Sequence, residues 1–311
     1  MTDSTKIIFA NHEIRKSRQQ KTYFIDWVSE YAKNLGYDVK IEKGSFRSRN
    51  IVIGDVKNAK VIFTAHYDTC AAMPLPNFIT PKSFICYILY QIVLTLAIIA
   101  VPAVIAALVG LINEALVPIT AIVGIYLMLF LMMFGPANKH TANDNTSGVT
   151  TVLDLLTALP KEKRDGVAFV LFDLEEAGLI GSSSFSSKHR KDIKNTLLIN
   201  FDCVSDGKNI LFALNRKAKG YKEKIEEAYV SDKDFSVDVC YKGVFYPSDQ
   251  MNVPLGVGVA ALKKTKKLGV LYMDRIHTKK DTVYMQENIE FLVKGSLRLI
   301  DRLNQKVTKA P

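Results

Sequence analysis

From Phe84 to Phe134 the chain is almost unbroken hydrocarbon, and Glu114 is the only charged residue in the run. A helix that crosses a bilayer needs ~20 apolar residues, and this run holds enough for two. Phe84 to about Ile112 is long enough to span with some tilt, and Pro102 is expected to kink it. Asn113-Glu114 reads as a tight polar turn, and Ala115 to about Phe134 returns. A pair of buried core helices is the competing reading, but core helices seldom lose their polar face over such a length. The expected organisation is one soluble domain, residues 1–83 and 135–311, interrupted by an inserted transmembrane helical hairpin, residues 84–134.

Two spans return the chain to the side it left. The near flanks carry Lys82, Lys139 and His140, and the far turn carries only Glu114. The positive-inside rule therefore puts everything but the hairpin on the cytoplasmic side of the cell membrane. Cys70, Cys86, Cys203 and Cys240 show no paired spacing, and free thiols fit a reducing compartment. The first residues, Met1-Thr-Asp-Ser-Thr-Lys, lack the profile of a secretory signal. The basic residues behind the formal charge of +10 are spread along the chain, at Arg15, Lys16 and Arg18, at Arg47 and Arg49, and from Lys263 to Lys267 among other places. None of these is interleaved with aromatics as a nucleic-acid surface would be. Solvated faces, with some attraction to anionic lipid, are the expectation, and no nucleic-acid partner.

Outside the hairpin, apolar strands alternate with helical patterns. Helices are expected over Thr22–Leu35, Thr146–Leu159, Tyr221–Val230 and Glu287–Leu303. Strands are expected over Tyr37–Ile41, Asn50–Ile53, Val61–Ala65, Val167–Phe172, Leu197–Phe201, Asn209–Leu214, Phe235–Tyr241, Val257–Leu262 and Val270–Met273. The C-terminal Lys306–Pro311 is expected to fray. This order argues for an α/β fold, a mixed, mostly parallel central sheet with helices on both faces. Ligands of such sheets gather beyond the carboxyl ends of the strands. His66, Glu175, Glu176, Asp202 and His277 all fall just after expected strands.

Each of these residues alone is unremarkable. A His-X-Asp at a strand end is more often a structural pair, Glu175-Glu176 would usually be surface charge, and a lone His277 a surface or core histidine. Together with Asp144, whose carboxylate sits in Ala142-Asn-Asp-Asn-Thr-Ser-Gly148 and has an oxygen for each of two cations, they offer the nitrogen and oxygen donors that zinc takes.

The segments Ala65-His-Tyr-Asp68, Ala142–Val149, Leu174-Glu-Glu-Ala-Gly178, Asn200-Phe-Asp202, Pro247-Ser-Asp249 and Ile276–Thr282 resemble the di-zinc exopeptidase family of the bacterial leucyl aminopeptidases. That family also contains glutamate carboxypeptidase-like proteins, the transferrin receptor and glutaminyl cyclases. The resemblance spans the soluble chain from about residue 20 to 305 and implies a single zinc peptidase domain around the hairpin.

Carried over by position, the resemblance makes Asp144 a bridging carboxylate between two zinc ions. His66 and Asp202 would hold one ion, Glu176 and His277 the other. Asp68 would orient the His66 imidazole, and Glu175 would be the general base. Tyr246 lies near the place of a family tyrosine that assists the oxyanion, but Phe245 takes the aligned position. Gln250 stands where a histidine often follows the Ser-Asp pair, and relatives have a short loop in place of the hairpin.

Because His66 and Asp144 flank the hairpin, the catalytic mouth is expected to lie beside the lipid surface. At ~3.5 Å per residue, the link from Phe134 to Asp144 reaches about 30 Å at most. The expected activity is a membrane-anchored, zinc-dependent aminopeptidase acting on hydrophobic or membrane-proximal substrates. An amidase on N-acyl amino acids or other lipidated amides shares the same metal chemistry. Glutaminyl cyclisation and a non-catalytic membrane receptor are the further alternatives.

Overall fold

The strands anticipated from apolar runs are all present in the computed structural model, which describes residues 1–73 and 77–305. The C-terminal Lys306–Pro311 lies outside the described residues. In chain order the elements begin with α1 (Asp3–Asn11), α2 (Arg18–Asn34), β1 (Val39–Lys43), β2 (Arg49–Gly54) and β3 (Val61–His66). The apolar run forms α3 (Phe84–Gly110) and α4 (Val117–Phe134). Then come α5 (Gly148–Ala158), β4 (Val167–Phe172), α6 (Ile180–Lys188), β5 (Leu197–Phe201) and β6 (Asn209–Leu214). The chain closes with α7 (Lys222–Ala228), β7 (Ser236–Cys240), β8 (Gly256–Lys264), β9 (Leu271–Tyr272) and α8 (Gln286–Asn304).

One sheet runs β1-β2-β4-β3-β5-β8-β6-β7, with β9 paired to β8. Its centre, β4-β3-β5-β8, is parallel, while β2 and β6 join it antiparallel. Every residue of β3, β4 and β5 is buried, because both faces are covered. Phe63, Phe169 and Phe201 point to one face, where Phe24, Val28, Val152, Leu156, Leu292 and Leu299 pack on them. Ile62, Val170 and Leu198 point to the other, with Phe185 and Ile193. Burial of each such side chain contributes about 1.5–3 kcal/mol, so the centre of the sheet is a stiff platform for whatever its strand ends carry.

Two helices were not anticipated. The first, α1, is capped by Thr2 and docked by Ser4 Oγ, which donates to Asp154 Oδ1 at 2.9 Å. The second, α6, is Gly-Ser-Ser-Ser in its first turns, a poor helix former. It packs so close that a Cβ on Gly181 would lie 2.1 Å from the Asp173 carbonyl oxygen. Helix α2 begins one turn earlier than expected because Ser17 and Gln20 form a reciprocal capping box.

The hairpin does not fold into the interior. On α3 only Pro102 and Ala106 are buried, and on α4 nothing is. Large apolar side chains such as Ile85, Val104 and Tyr126 are exposed. The helices pack on each other, with Gly124 set so tightly under Pro102 that a Cβ there would meet the proline Cβ at 2.7 Å. At 1.5 Å per residue, α3 is about 40 Å long and α4 about 27 Å, and both are long and apolar enough to cross a membrane.

Candidate metal centre

Strand register sets the first three donors side by side. His66 closes β3 opposite Phe172 of β4, and Thr64 lies opposite Asn200 of β5. The residues that follow those strands, Glu175-Glu176 and Asp202, therefore leave the sheet beside His66. The segment 142–147, expected to start a helix at Thr146, is instead a wide turn with Asp144 in an extended conformation and a cis Asp144–Asn145 peptide. Regular helix begins only at Gly148.

The flanking asparagines explain that turn. Asn143 Oδ1 accepts the backbone N–H of Ser205 (2.7 Å) and Asp206 (3.2 Å). Asn145 Nδ2 donates to the Phe201 carbonyl (2.9 Å), and its Oδ1 accepts from Gly148 (3.0 Å) and Cys203 (3.2 Å). Both side chains hydrogen-bond the end of β5 and the loop after it, leaving Asp144 as the residue that faces the site.

His277 arrives differently from the expectation. It follows β9, which folds back antiparallel on β8, so its loop crosses over the strand ends rather than extending one. His277 itself has a left-handed backbone (φ 61°), as do Leu174, Leu179 and Cys203. Such non-glycine residues cost about 1–3 kcal/mol each and persist only where the surroundings hold them.

The five expected donors converge. His66 Nε2 is 3.3 Å from Asp144 Oδ1 and 3.6 Å from Asp202 Oδ1. His277 Nε2 is 2.9 Å from Asp144 Oδ2 and 3.3 Å from Glu176 Oε2. Each oxygen of Asp144 thus faces a different histidine. Donor atoms of His66, Asp144 and Asp202 lie within 4.8 Å of one another, as do those of Cys70, Asp144, Glu176 and His277, and those of His66, Glu175 and Glu176.

The electrostatics ask for cations. Burial would lower both histidines, yet carboxylates outweigh it: His66 is raised well above its usual range by Glu175, Asp144, Asp202 and Asp68, and His277 is pushed up to about 9 by Glu176 and Asp144. Burial drives Glu175 well above the carboxylate range and Glu176 up to about 8. Asp249, fully buried near Ser182, is driven to about 7, again mainly by burial. Glu176 Oε1 is buried without a partner. A cluster with this surplus of carboxylates over bases, and a buried oxygen without a hydrogen-bond partner, fits divalent metal ions held by nitrogen and oxygen donors.

The supporting residues act in ways the motifs only partly indicate. The Asp68 carboxylate lies 3.6 Å from His66 Nδ1, whose closer partner is the Asp68 backbone carbonyl at 3.1 Å. The carboxylate instead accepts the backbone N–H groups of Glu175 (3.0 Å) and Glu176 (3.2 Å), fixing the turn that carries both. Tyr246 is buried and its hydroxyl donates to the Asp202 carbonyl (3.0 Å), so it braces Asp202 rather than presenting a free hydroxyl. Gln250 is buried too, donating to the Tyr246 carbonyl and accepting from Asn200. Two positioning residues were not foreseen. Asp281, four past His277, accepts the N–H of Asn143 (2.8 Å) and Asp144 (3.0 Å). Arg15, fully buried, donates to the Tyr67 carbonyl (2.6 Å) and to Thr146 Oγ1 (3.1 Å), tying the His66 loop to the Asp144 turn. The His-x3-Asp spacing was a readable hint for Asp281; nothing local marks Arg15.

The foot of the hairpin is woven into this centre. Ala71 bridges Ala137, Asn138 N donates to the Cys70 carbonyl, and Asn138 Nδ2 donates to the Thr278 carbonyl (3.0 Å). Phe245 stacks edge-on against Tyr87 of α3. A cavity of about 950 Å³ opens at this junction, with apolar walls from Ala72, Met73 and Phe78 and cationic ones from Lys139, Arg275, Lys279 and Lys280.

The model of peptidase family M28 matches residues 128–290. Among solved structures, a Zn-dependent exopeptidase from Parabacteroides distasonis superposes with a TM-score of 0.59 at 17% identity, over 97% of this chain and 98% of that one. A glutaminyl cyclase from Tannerella forsythia gives 0.60 at 15% identity, over 97% and 96%. The LapA aminopeptidase of Legionella pneumophila gives 0.58 at 14% identity, over 97% and 70%. No curated protein sequence matches.

Proposed function

The chain belongs to peptidase family M28 and is a metallo-hydrolase, and from that premise we propose a membrane-anchored, zinc-dependent aminopeptidase whose catalytic mouth opens at the bilayer surface. The observation that carries this reading is the division of Asp144 between two histidines, Oδ1 toward His66 and Oδ2 toward His277. In this reading Asp144 would offer one oxygen to each of two zinc ions, with His66 and Asp202 available to one and Glu176 and His277 to the other. When bound, such a pair supplies Lewis-acid polarisation of the scissile carbonyl and acidifies a water.

The protein's own part is to place and move a proton. Glu175, in its buried setting, takes the proton from the attacking water and returns it to the leaving amine. Asp68 holds Glu175 by its backbone N–H, so the carboxylate is positioned before substrate arrives. Asp281 holds the Asp144 turn by accepting its backbone N–H.

Membrane attachment is the other half of the proposal. With α3 and α4 exposing their apolar side chains, the pair forms two spans, and Lys82, Lys139 and His140 at its foot favour a cytoplasmic catalytic domain of residues 1–83 and 135–311. The lipid bilayer is then a partner, and substrates are hydrophobic or membrane-proximal.

One observation favours a second reading, an amidase on N-acyl amino acids or related lipidated amides. The cavity at the hairpin foot joins apolar walls to lysines and an arginine, which suits an acyl chain next to a carboxylate. Detergent-purified protein assayed on aminoacyl anilides and on N-acyl amino acids separates the two. Hydrolysis of either that disappears in Glu175→Ala with metal retained supports the metallo-hydrolase assignment, and undiminished turnover in that variant refutes it.

A further inference from the structure

Cys70 has no part in the reading above, yet its sulfur lies inside the centre. The residue comes four past His66, where the chain leaves β3 for the hairpin. Its carbonyl accepts the N–H of Asn138 (3.1 Å) on the segment returning from α4, which clamps it in place. Only 1% of its surface is exposed. Cys70 Sγ, a ring nitrogen of His277 and carboxylate oxygens of Asp144 and Glu176 are all within 4.8 Å of one another. A second observation points to the same spot: Glu176 Oε1 is buried and has no hydrogen-bond partner.

A sulfur facing two carboxylates is poorly placed as a bare thiolate and well placed as a donor to a cation between them. We propose that Cys70 ligates the metal ion at the Asp144–Glu176–His277 position, making it a cysteine, histidine and carboxylate site. The ion class is borderline-soft, zinc or cobalt, in preference to the hard manganese or magnesium that an all-nitrogen-and-oxygen site would also accept. On loading, the Cys70 S–H bond breaks, an S–metal bond forms and the proton leaves to solvent, with no change of oxidation state.

The two positions are then unequal. Four protein donors surround the one nearest His277, whereas His66, Asp144 and Asp202 make three at the other. Zinc positions with four protein ligands are closed, and those with three keep a place for water. The open place therefore lies on the His66 side, where Glu175 is also within 4.8 Å of His66 and Glu176.

This inference rests on the metallo-hydrolase reading for the presence of metal and on nothing about substrate. Full-length, detergent-solubilised protein loaded with cobalt tests it. Wild type should show a near-ultraviolet thiolate-to-cobalt absorption, and Cys70→Ser should lose it. That variant should also release one ion at a chelator concentration at least about tenfold lower. Cys203→Ser should keep the absorption, although Cys203 Sγ lies 3.1 Å from Asp202 Oδ1. A cobalt-filled wild type without the absorption, or an absorption that survives Cys70→Ser or vanishes in Cys203→Ser alone, overturns the assignment while leaving the hydrolase intact. Metal analysis showing no cobalt uptake at all overturns both.

Discussion

Asp281 offers the sharpest test of how the centre is held. Its two oxygens accept the N–H groups of Asn143 (2.8 Å) and Asp144 (3.0 Å), and both of those residues are buried. Asp281→Ala removes both acceptors at once. A buried amide left without an acceptor costs about 1–3 kcal/mol, so the pair costs about 2–6 kcal/mol unless the turn opens to water. Opening moves Asp144, which faces both histidines, so both metal positions loosen together. Loss of a group that orients a metal ligand typically weakens affinity 10–100-fold, or about 1.4–2.8 kcal/mol at tenfold per 1.4.

Asp281→Asn keeps one carbonyl oxygen and turns an NH2 toward the second amide, so it should fall between wild type and Asp281→Ala. The assay is competition for zinc with a chromogenic chelator, run beside thermal unfolding of the same samples. The expected order of affinity is wild type, Asn, Ala, with Ala weaker by 10–100-fold. Wild-type affinity in Asp281→Ala, or an Asn variant weaker than the Ala variant, would refute the idea that these two hydrogen bonds set Asp144.

Other outcomes follow from the same geometry. Glu175→Gln should lower kcat about 10²–10⁴-fold with unchanged metal content; a loss of metal in step with activity would mean that Glu175 is a ligand. Gly124→Leu should separate α3 from α4, because even a Cβ there meets Pro102 at 2.7 Å, and a cysteine cross-link between the helices should slow accordingly; an unchanged rate contradicts the packing. Replacing residues 84–134 by a short linker should release the protein from membranes without detergent, and persistent membrane association would contradict the two-span assignment.

A further outcome concerns Glu42, which pairs with His189 and Lys188. Burial would raise its pKa from 4.5, but those partners outweigh it and lower it. A depressed folded-state pKa means the stabilisation is complete above the unfolded value and fades as pH falls through the folded one. The melting difference between wild type and Glu42→Gln should therefore be full near pH 6 and shrink as pH drops below about 4.5; a difference that grows toward acid would reverse the assignment.

How much of this was visible in the chain depends on whether the signal was local. Val61–Ala65 reads as a doubly buried strand because apolar residues fall on both of its faces, and Phe84–Phe134 announces itself by having no polar face. The donor set was legible because metal chemistry restricts it to a few residue types at strand ends. Helix α6 was not, since Gly-Ser-Ser-Ser is a poor helix former and its order comes from Gly181 fitting against Asp173 and Asn50. The helix expected from Thr146 begins at Gly148 because the Asn143 and Asn145 side chains hydrogen-bond the end of β5 and the loop after it. Arg15 and the bracing role of Tyr246 escaped for the same reason: their partners, Tyr67, Thr146 and Asp202, are remote in the chain.

The central claim is that one carboxylate serves two cations, and metal content is its most direct measure. Purified wild-type protein should hold two zinc ions per chain, and Asp144→Ala should lose both, because each oxygen of Asp144 belongs to a different position. A wild type that binds none, or an Asp144→Ala variant that keeps one ion at wild-type affinity, would contradict the account.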